Sequence, residues 1–180
     1  MLTIIVPERE YFDEKTNSFG LIKETSLAME HSLVSISKWE SKWHKPFFGK
    51  EPKTNEETLD YLRCMTLTQN VNPDIYNFLT EENITEIENY IENPMTATWF
   101  SEDKNTAKSR ETVTSELIYY WMIGFNIPME CQKWHINRLL TLIRICNIKN
   151  APPKKMSKSE IYSRNKALND ARRKMLNTKG

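Results

Sequence analysis

Charge divides this chain more sharply than any motif does. Residues 154–180 hold nine Lys or Arg and two acids, Glu160 and Asp170, a net of +7. The whole chain has 25 basic and 24 acidic residues, so residues 1–153 hold 16 and 22, a net of −6. The formal net charge of +1 therefore belongs to an acidic body joined to a basic segment. A segment so charged has little to bury, and it suits long-range steering or contact with an acidic surface. The body must supply the core.

A length of 180 fits one domain with a small extra lobe. The 39% of hydrophobic residues is modest, but five Trp, seven Tyr and seven Phe bring large side chains to a core. Residues 1–10 lack a basic leader before their short apolar run, so no signal peptide is expected there. The longest mainly apolar run, residues 117–127, is far short of the roughly 20 residues that span a bilayer. Cys64, Cys131 and Cys146 are odd in number and widely spaced. That pattern argues for reduced thiols in a cytosol rather than a disulfide framework.

Residues 2–6 are β-branched and end at Pro7, which predicts a strand. Residues 8–20 are polar and close on Gly20, as a loop or hairpin does, and residues 21–33 alternate as an extended segment does. A two- or three-stranded unit over residues 1–35 follows, and a lone pair of strands must pack on helices.

The remainder reads as helical. Ser35 or Ser37 is expected to cap a short helix bearing Trp39 and Trp43, stopped by Pro46. Thr54 with Glu57 is a capping box that opens a helix to about Gln69. Pro73 suits a first helical turn, and Thr80 caps a helix whose Glu81 and Glu82 suit its positive end. Residues 94–100 read as extended and residues 101–111 as an exposed polar loop. From Thr114 or Ser115 to about Asn126 a helix apolar on nearly every side is expected at the centre of the core. Pro128 is expected to open a helix to about Asn147 with Ile136, Leu139, Leu140, Ile143 and Cys146 inward.

Residues 151–155 form a proline-stiffened hinge. Ser157 and Glu160 make a second capping box, and the helix after it carries a narrow apolar seam of Ile161, Leu168, Ala171 and Met175. The fold expected is thus mainly α: a compact helical domain (residues 36–150), a small N-terminal β element packed on it (residues 1–35), and a protruding basic C-terminal helix (residues 151–180).

Chemistry-bearing patterns are weak. Cys131 and His135, four apart on the expected helix, share a face and are candidates for metal ligation or an activated thiol. No further pair at ligand spacing accompanies them, so a buried thiol beside a partly buried ring is the plainer reading. The paired glutamates sit at or near helix starts, where capping and solvation explain them. Four glycines leave no phosphate loop. No catalytic residue, cofactor or metal is assigned. Trp39 and Trp43, with Lys38, Lys42 and Lys45, offer an aromatic and basic nucleic-acid platform, although two such tryptophans more often pack a helix onto a core. The tail's seam and capping box favour docking on a partner polypeptide over contact with phosphates. Ile161, Leu168, Arg172, Arg173 and Met175 are the partner-binding candidates, with Trp39 and Trp43 behind them.

SLVSISKWESKWHKPFF (residues 32–48), TLDYLRCMTLTQNVNPDIY (residues 58–76), the stretch from SELIYYWMIGFNIP to APPKKMS (residues 115–157) and RNKALNDARRKML near the end resemble the tail assembly chaperones of long-tailed bacteriophages. The likeness runs over most of the chain from about residue 26. It implies a non-enzymatic protein of the infected host cytoplasm that holds the helical tape-measure protein while tail-tube subunits polymerise around it. The opposed charges of body and tail also suggest self-association, one copy's tail on the next copy's body. A structural virion component, such as a connector or tail-completion protein, is the alternative reading. A nucleic-acid-binding accessory protein comes after it. Neither reading needs a membrane.

Overall fold

The structure, a computed structural model, describes residues 1–13, 17–100, 112–151 and 158–178. The expected loop at residues 101–111, the hinge prolines and Ser157 lie outside these. The described chain is mainly helical, with four short strands at its start. It divides into two compact units, residues 1–147 and 148–180.

The N-terminal strands are β1 (Leu2–Val6), β2 (Arg9–Asp13), β3 (Ser18–Ile22) and β4 (Thr25–Met29). β1 pairs antiparallel with β4, from Leu2 opposite Met29 to Val6 opposite Thr25. β2 pairs with β3 inside that hairpin, from Arg9 opposite Ile22 to Asp13 opposite Ser18. Pro7, which has no N–H for a ladder, separates β1 from β2. Of the loop or hairpin expected across residues 8–20, the hairpin is what forms, and four strands replace two or three. The charged residues on either side of Tyr11 and Phe12 hid the pairing, because only two β-prone residues stand between them in the sequence.

Alternation in β1 and β4 sends Ile4, Val6, Leu27 and Met29 into the core. The outer edge of β4 is closed by the chain after the second helix. Leu67 N–H donates to the Ala28 carbonyl at 2.7 Å, Glu30 N–H to the Met65 carbonyl at 2.9 Å, and Ala28 N–H to Thr68 Oγ1 at 2.9 Å. A bare pair of strands is thus converted into a covered one.

Helix α1 (Leu33–Trp43) is capped by Ser32, one turn earlier than expected, in a reciprocal box with Ser35. It ends where His44 turns left-handed at φ 52° and returns its N–H to the Glu40 carbonyl. Trp39 is fully buried, and its Nε1–H donates to the Glu57 carbonyl at 2.8 Å. Helix α2 (Asn55–Met65) opens on the Thr54–Glu57 box read from the sequence, and it stops at Thr66, short of Gln69, because the chain turns to join β4. Residues Pro73–Phe78 form a 3-10 turn. Helix α3 (Glu81–Glu92) is capped by Thr80 with Asn83, and Asn83 Nδ2 also donates to the Ile5 carbonyl of β1 at 3.2 Å. Residues 94–100 form no strand.

Helix α4 (Ser115–Gly124) buries Ser115, Ile118 and Met122, while Tyr120 and Ile123 are exposed. An apolar sequence on every side did not bring burial on every side. Pro128 opens a 3-10 turn over Met129–Lys133 rather than a long helix. Helix α5 (Ile136–Asn150) begins only after the chain has bonded to the start of α1, with Ile136 N–H donating to the His31 carbonyl at 2.7 Å. Its inward residues are Ile136, Leu139 and Ile143, with Leu140 and Cys146 half-buried.

Glu40 ties these parts together. Its carboxylate is buried, with Oε1 accepting from Phe47 N–H and Oε2 from Ser115 N–H, each at 2.7 Å. It closes the turn after α1 and sits at the positive end of α4. Glu40→Gln turns one acceptor into a donor facing an N–H. A loss of about 2–3 kcal/mol is expected, read as a lower urea midpoint. A midpoint equal to wild type would contradict this role.

Candidate interaction surface

The residues the sequence singled out as partner-binding lie mainly on helix α6 (Lys158–Leu176), which belongs to the second unit. The helix forms for local reasons. Glu160 sits in its first turn and Arg173 and Lys174 in its last, matching the helix dipole at both ends. None of its 19 residues is buried. Ile161, Leu168 and Met175 are 45%, 47% and 82% exposed. They fall at intervals of seven, which places them on one side, each two turns from the last and roughly 10 Å apart. Arg172 and Arg173 are exposed beside them. Residues 158–176 hold six basic and two acidic side chains, a net of +4. The result is an apolar seam within a positive field, a surface suited to a helix or groove of opposite charge.

The tryptophans separate. Trp39 is withdrawn as a contact residue, because its ring and its N–H are both committed inside the core. Trp43 is half-buried, and its Nε1–H donates to Asp60 Oδ2 at 2.9 Å. Lys42 and Lys45 are drawn to carboxylates, Asp60 and Glu57, so the expected aromatic and basic platform is largely neutralised from beneath.

Two surfaces escaped the sequence reading. The β2–β3 ribbon exposes Phe12 and Phe19, paired across the strands with ring centroids 5.2 Å apart, together with Leu21. The alternation of Phe12 with inward Tyr11, and of Leu21 with Ile22, was the available signal. Between the end of β3 and the loop before the 3-10 turn lies an open groove of about 300 Å³, lined by Leu21, Ile22, Lys23, Thr68, Asn70 and Ile75 among others. Lys23 is the one charged side chain among the described residues of that lining.

Cys131 and His135 do not share a helical face, since Cys131 stands on the 3-10 turn and His135 in the extended link before α5. His135 Nε2–H donates to the Tyr90 carbonyl at 2.9 Å, and its Nδ1 accepts from Asn137 N–H at 3.3 Å, which fixes a neutral tautomer. His31, isolated in sequence, is its neighbour in space, with ring centroids 5.1 Å apart. The Tyr61 hydroxyl hydrogen-bonds His31 Nδ1. Tyr90 donates to Glu30 Oε1 at 2.6 Å. Both rings are buried, and the backbone beside them splices the start of α1 to the start of α5 through the Ser32–His135 bridge and the Ile136 N–H to His31 carbonyl bond. Among the described residues no group of three or more His, Cys, Asp or Glu is placed to hold a metal ion. No helix among them is long and apolar enough to cross a membrane.

No family model matches this chain, and neither a curated protein nor a solved structure matches it.

The two imidazoles set a pH dependence. Burial, and then the neighbouring His135, push His31 from 6.5 down to about 3. Burial also lowers His135. Below pH 6.5 the unfolded chain therefore binds protons that the folded chain refuses, and stability falls as pH falls. Between pH 6.5 and about 5, still above the ordinary carboxylate range, the cost from His31 steepens toward about 1.4 kcal/mol per pH unit as the unfolded imidazole becomes fully protonated. Urea midpoints measured across that window check it. A flat profile would show that the rings titrate alike in the folded and unfolded states.

Proposed function

We propose that this chain is a non-enzymatic tail assembly chaperone of a long-tailed bacteriophage. In the host cytoplasm it holds the tape-measure protein, tail-tube subunits or both until the tail is built. The observation that carries the reading is α6: a helix without a buried residue, whose apolar side chains recur in sevens and whose net charge is +4. A helix with those properties has spare apolar surface and a field that selects acidic, helical clients. A tape measure is long, mostly helical and liable to aggregate before its tube exists. Holding it calls for a reversible apolar contact and a fast on-rate, which a charged amphipathic arm supplies. The resemblance of residues 32–48, 58–76 and 115–157 to such chaperones agrees with that use.

The basic charge of α6 also favours a second reading, contact with nucleic acid. The seam weighs against it, because phosphates need cations and not Ile161, Leu168 and Met175.

Deletion of residues 154–180 is expected to abolish capture of tape-measure fragments in a pull-down while the remaining body keeps its circular dichroism spectrum. Ile161→Asp with Leu168→Asp in the full chain is expected to do the same. Undiminished capture by both variants sinks the proposal. Salt-sensitive DNA or RNA binding that vanishes with the deletion, without client capture, supports the nucleic-acid reading instead. Mass spectrometry of finished particles separates a chaperone, which is shed, from a structural component, which stays.

A further inference from the structure

We infer that helix α3 of a second copy of this chain is an acceptor for α6. The inference rests on the reading of α6 as a contact arm and names one of its partners. Two copies of α6 suit each other poorly, since each carries a net of +4 beside its seam and like charges repel at that range. The occupant of the seam should be acidic, helical and apolar at the same interval.

Helix α3 meets these conditions. Over Glu81–Glu92 it holds five glutamates and no Lys or Arg, a net of −5. Glu81, Glu82, Glu86, Glu88 and Glu92 are all exposed. Among the described residues none of the five is in an ion pair. That differs from Glu57 and Asp60, whose carboxylates are buried and paired with lysines. Ile84 is exposed and Ile91 half-buried, seven residues apart, at the interval of Ile161, Leu168 and Met175. The inner side of α3 is spent on the core through Asn83, Ile87 and Tyr90, which leaves the acidic side outward. A basic seam and an acidic one of equal period on the same chain give a contact in which different surfaces of two copies meet. Repeated, that contact builds a head-to-tail series rather than a closed pair.

The test uses the full chain and sedimentation velocity over a range of protein concentrations. At about 20 mM salt the wild type is expected to associate with rising concentration, and at about 500 mM, where screening is short-ranged, to return to monomer. Glu88→Lys with Glu92→Lys is expected to weaken association at least about tenfold, as is Arg172→Glu with Arg173→Glu. All four side chains are exposed and lysines suit the C-terminal end of α3; the glutamates oppose the negative end of α6, so an unchanged circular dichroism spectrum is required of that variant. An equimolar mixture of the two variants is expected to pair again, because the intact α6 of one variant meets the intact α3 of the other. A wild type that stays monomeric at low salt overturns the inference. So does association indifferent to the α3 charges, or a mixture that fails to recover. A salt response independent of protein concentration overturns it too, since it places the contact within one copy. The arm itself fails separately: client capture that survives deletion of residues 154–180 sinks the arm. Capture lost on that deletion, with association blind to α3, sinks this pairing alone.

Discussion

A buried carboxylate, Glu40, sets the frame of the first unit. It accepts from the backbone N–H of Phe47 and of Ser115, residues 68 positions apart in the chain, and so fixes the exit of α1 and the entry of α4 together. A charge taken out of water is tolerable only when its oxygens are satisfied, and here each oxygen has an N–H. The same economy recurs around it. Trp39 gives its N–H to the Glu57 carbonyl, Asn137 gives both amide protons to the carbonyls of Ile91 and Asn93, and His135 gives Nε2–H to Tyr90. Side chains bonded to distant backbone hold irregular links where regular helix stops. That is how a chain with modest apolar content keeps strands, 3-10 turns and helices around one core.

Local signals in the sequence were legible where a single residue type has a single use. The Thr54–Glu57 box, the Thr80 cap and the Thr114 start appear where short polar residues precede apolar periodicity. What was not legible depends on contacts made from far away. β2 and β3 pair only through the fold: Tyr11 turns inward against Phe78, while Phe12, Phe19 and Leu21 stay exposed on the other face among charged neighbours. Pro128 reads as the start of one helix to about Asn147, yet Met129–Lys133 form a 3-10 turn, and the Ser32–His135 bridge and the Ile136–His31 hydrogen bond hold the link extended before α5 begins. Helix α4 shows the same lesson in reverse. Its apolar residues outnumber the core positions available, and Tyr120 and Ile123 remain outside.

The candidate site was legible to a different extent. Ile161, Leu168 and Met175 were found by spacing, and their exposure agrees with a surface role. Trp39 reads as a secondary contact candidate beside the commoner core use, and the core use is what it has; an i, i+4 pair of tryptophans looks alike on a core face and on a platform. The buried histidine pair was invisible, since His31 and His135 are 104 positions apart and meet only through the fold.

Helix stability in proteins comes mostly from tertiary packing, and α6 has no buried residue to draw on. A 19-residue helix of that kind is marginal by itself and gains most when a second surface covers its seam. Hydrogen–deuterium exchange over residues 158–176, with and without a tape-measure fragment, measures that gain directly. Fast exchange is expected in the free protein, with clear slowing along the Ile161–Leu168–Met175 side when the fragment is present. Unchanged exchange there, with protection arising only in residues 1–147, would contradict it.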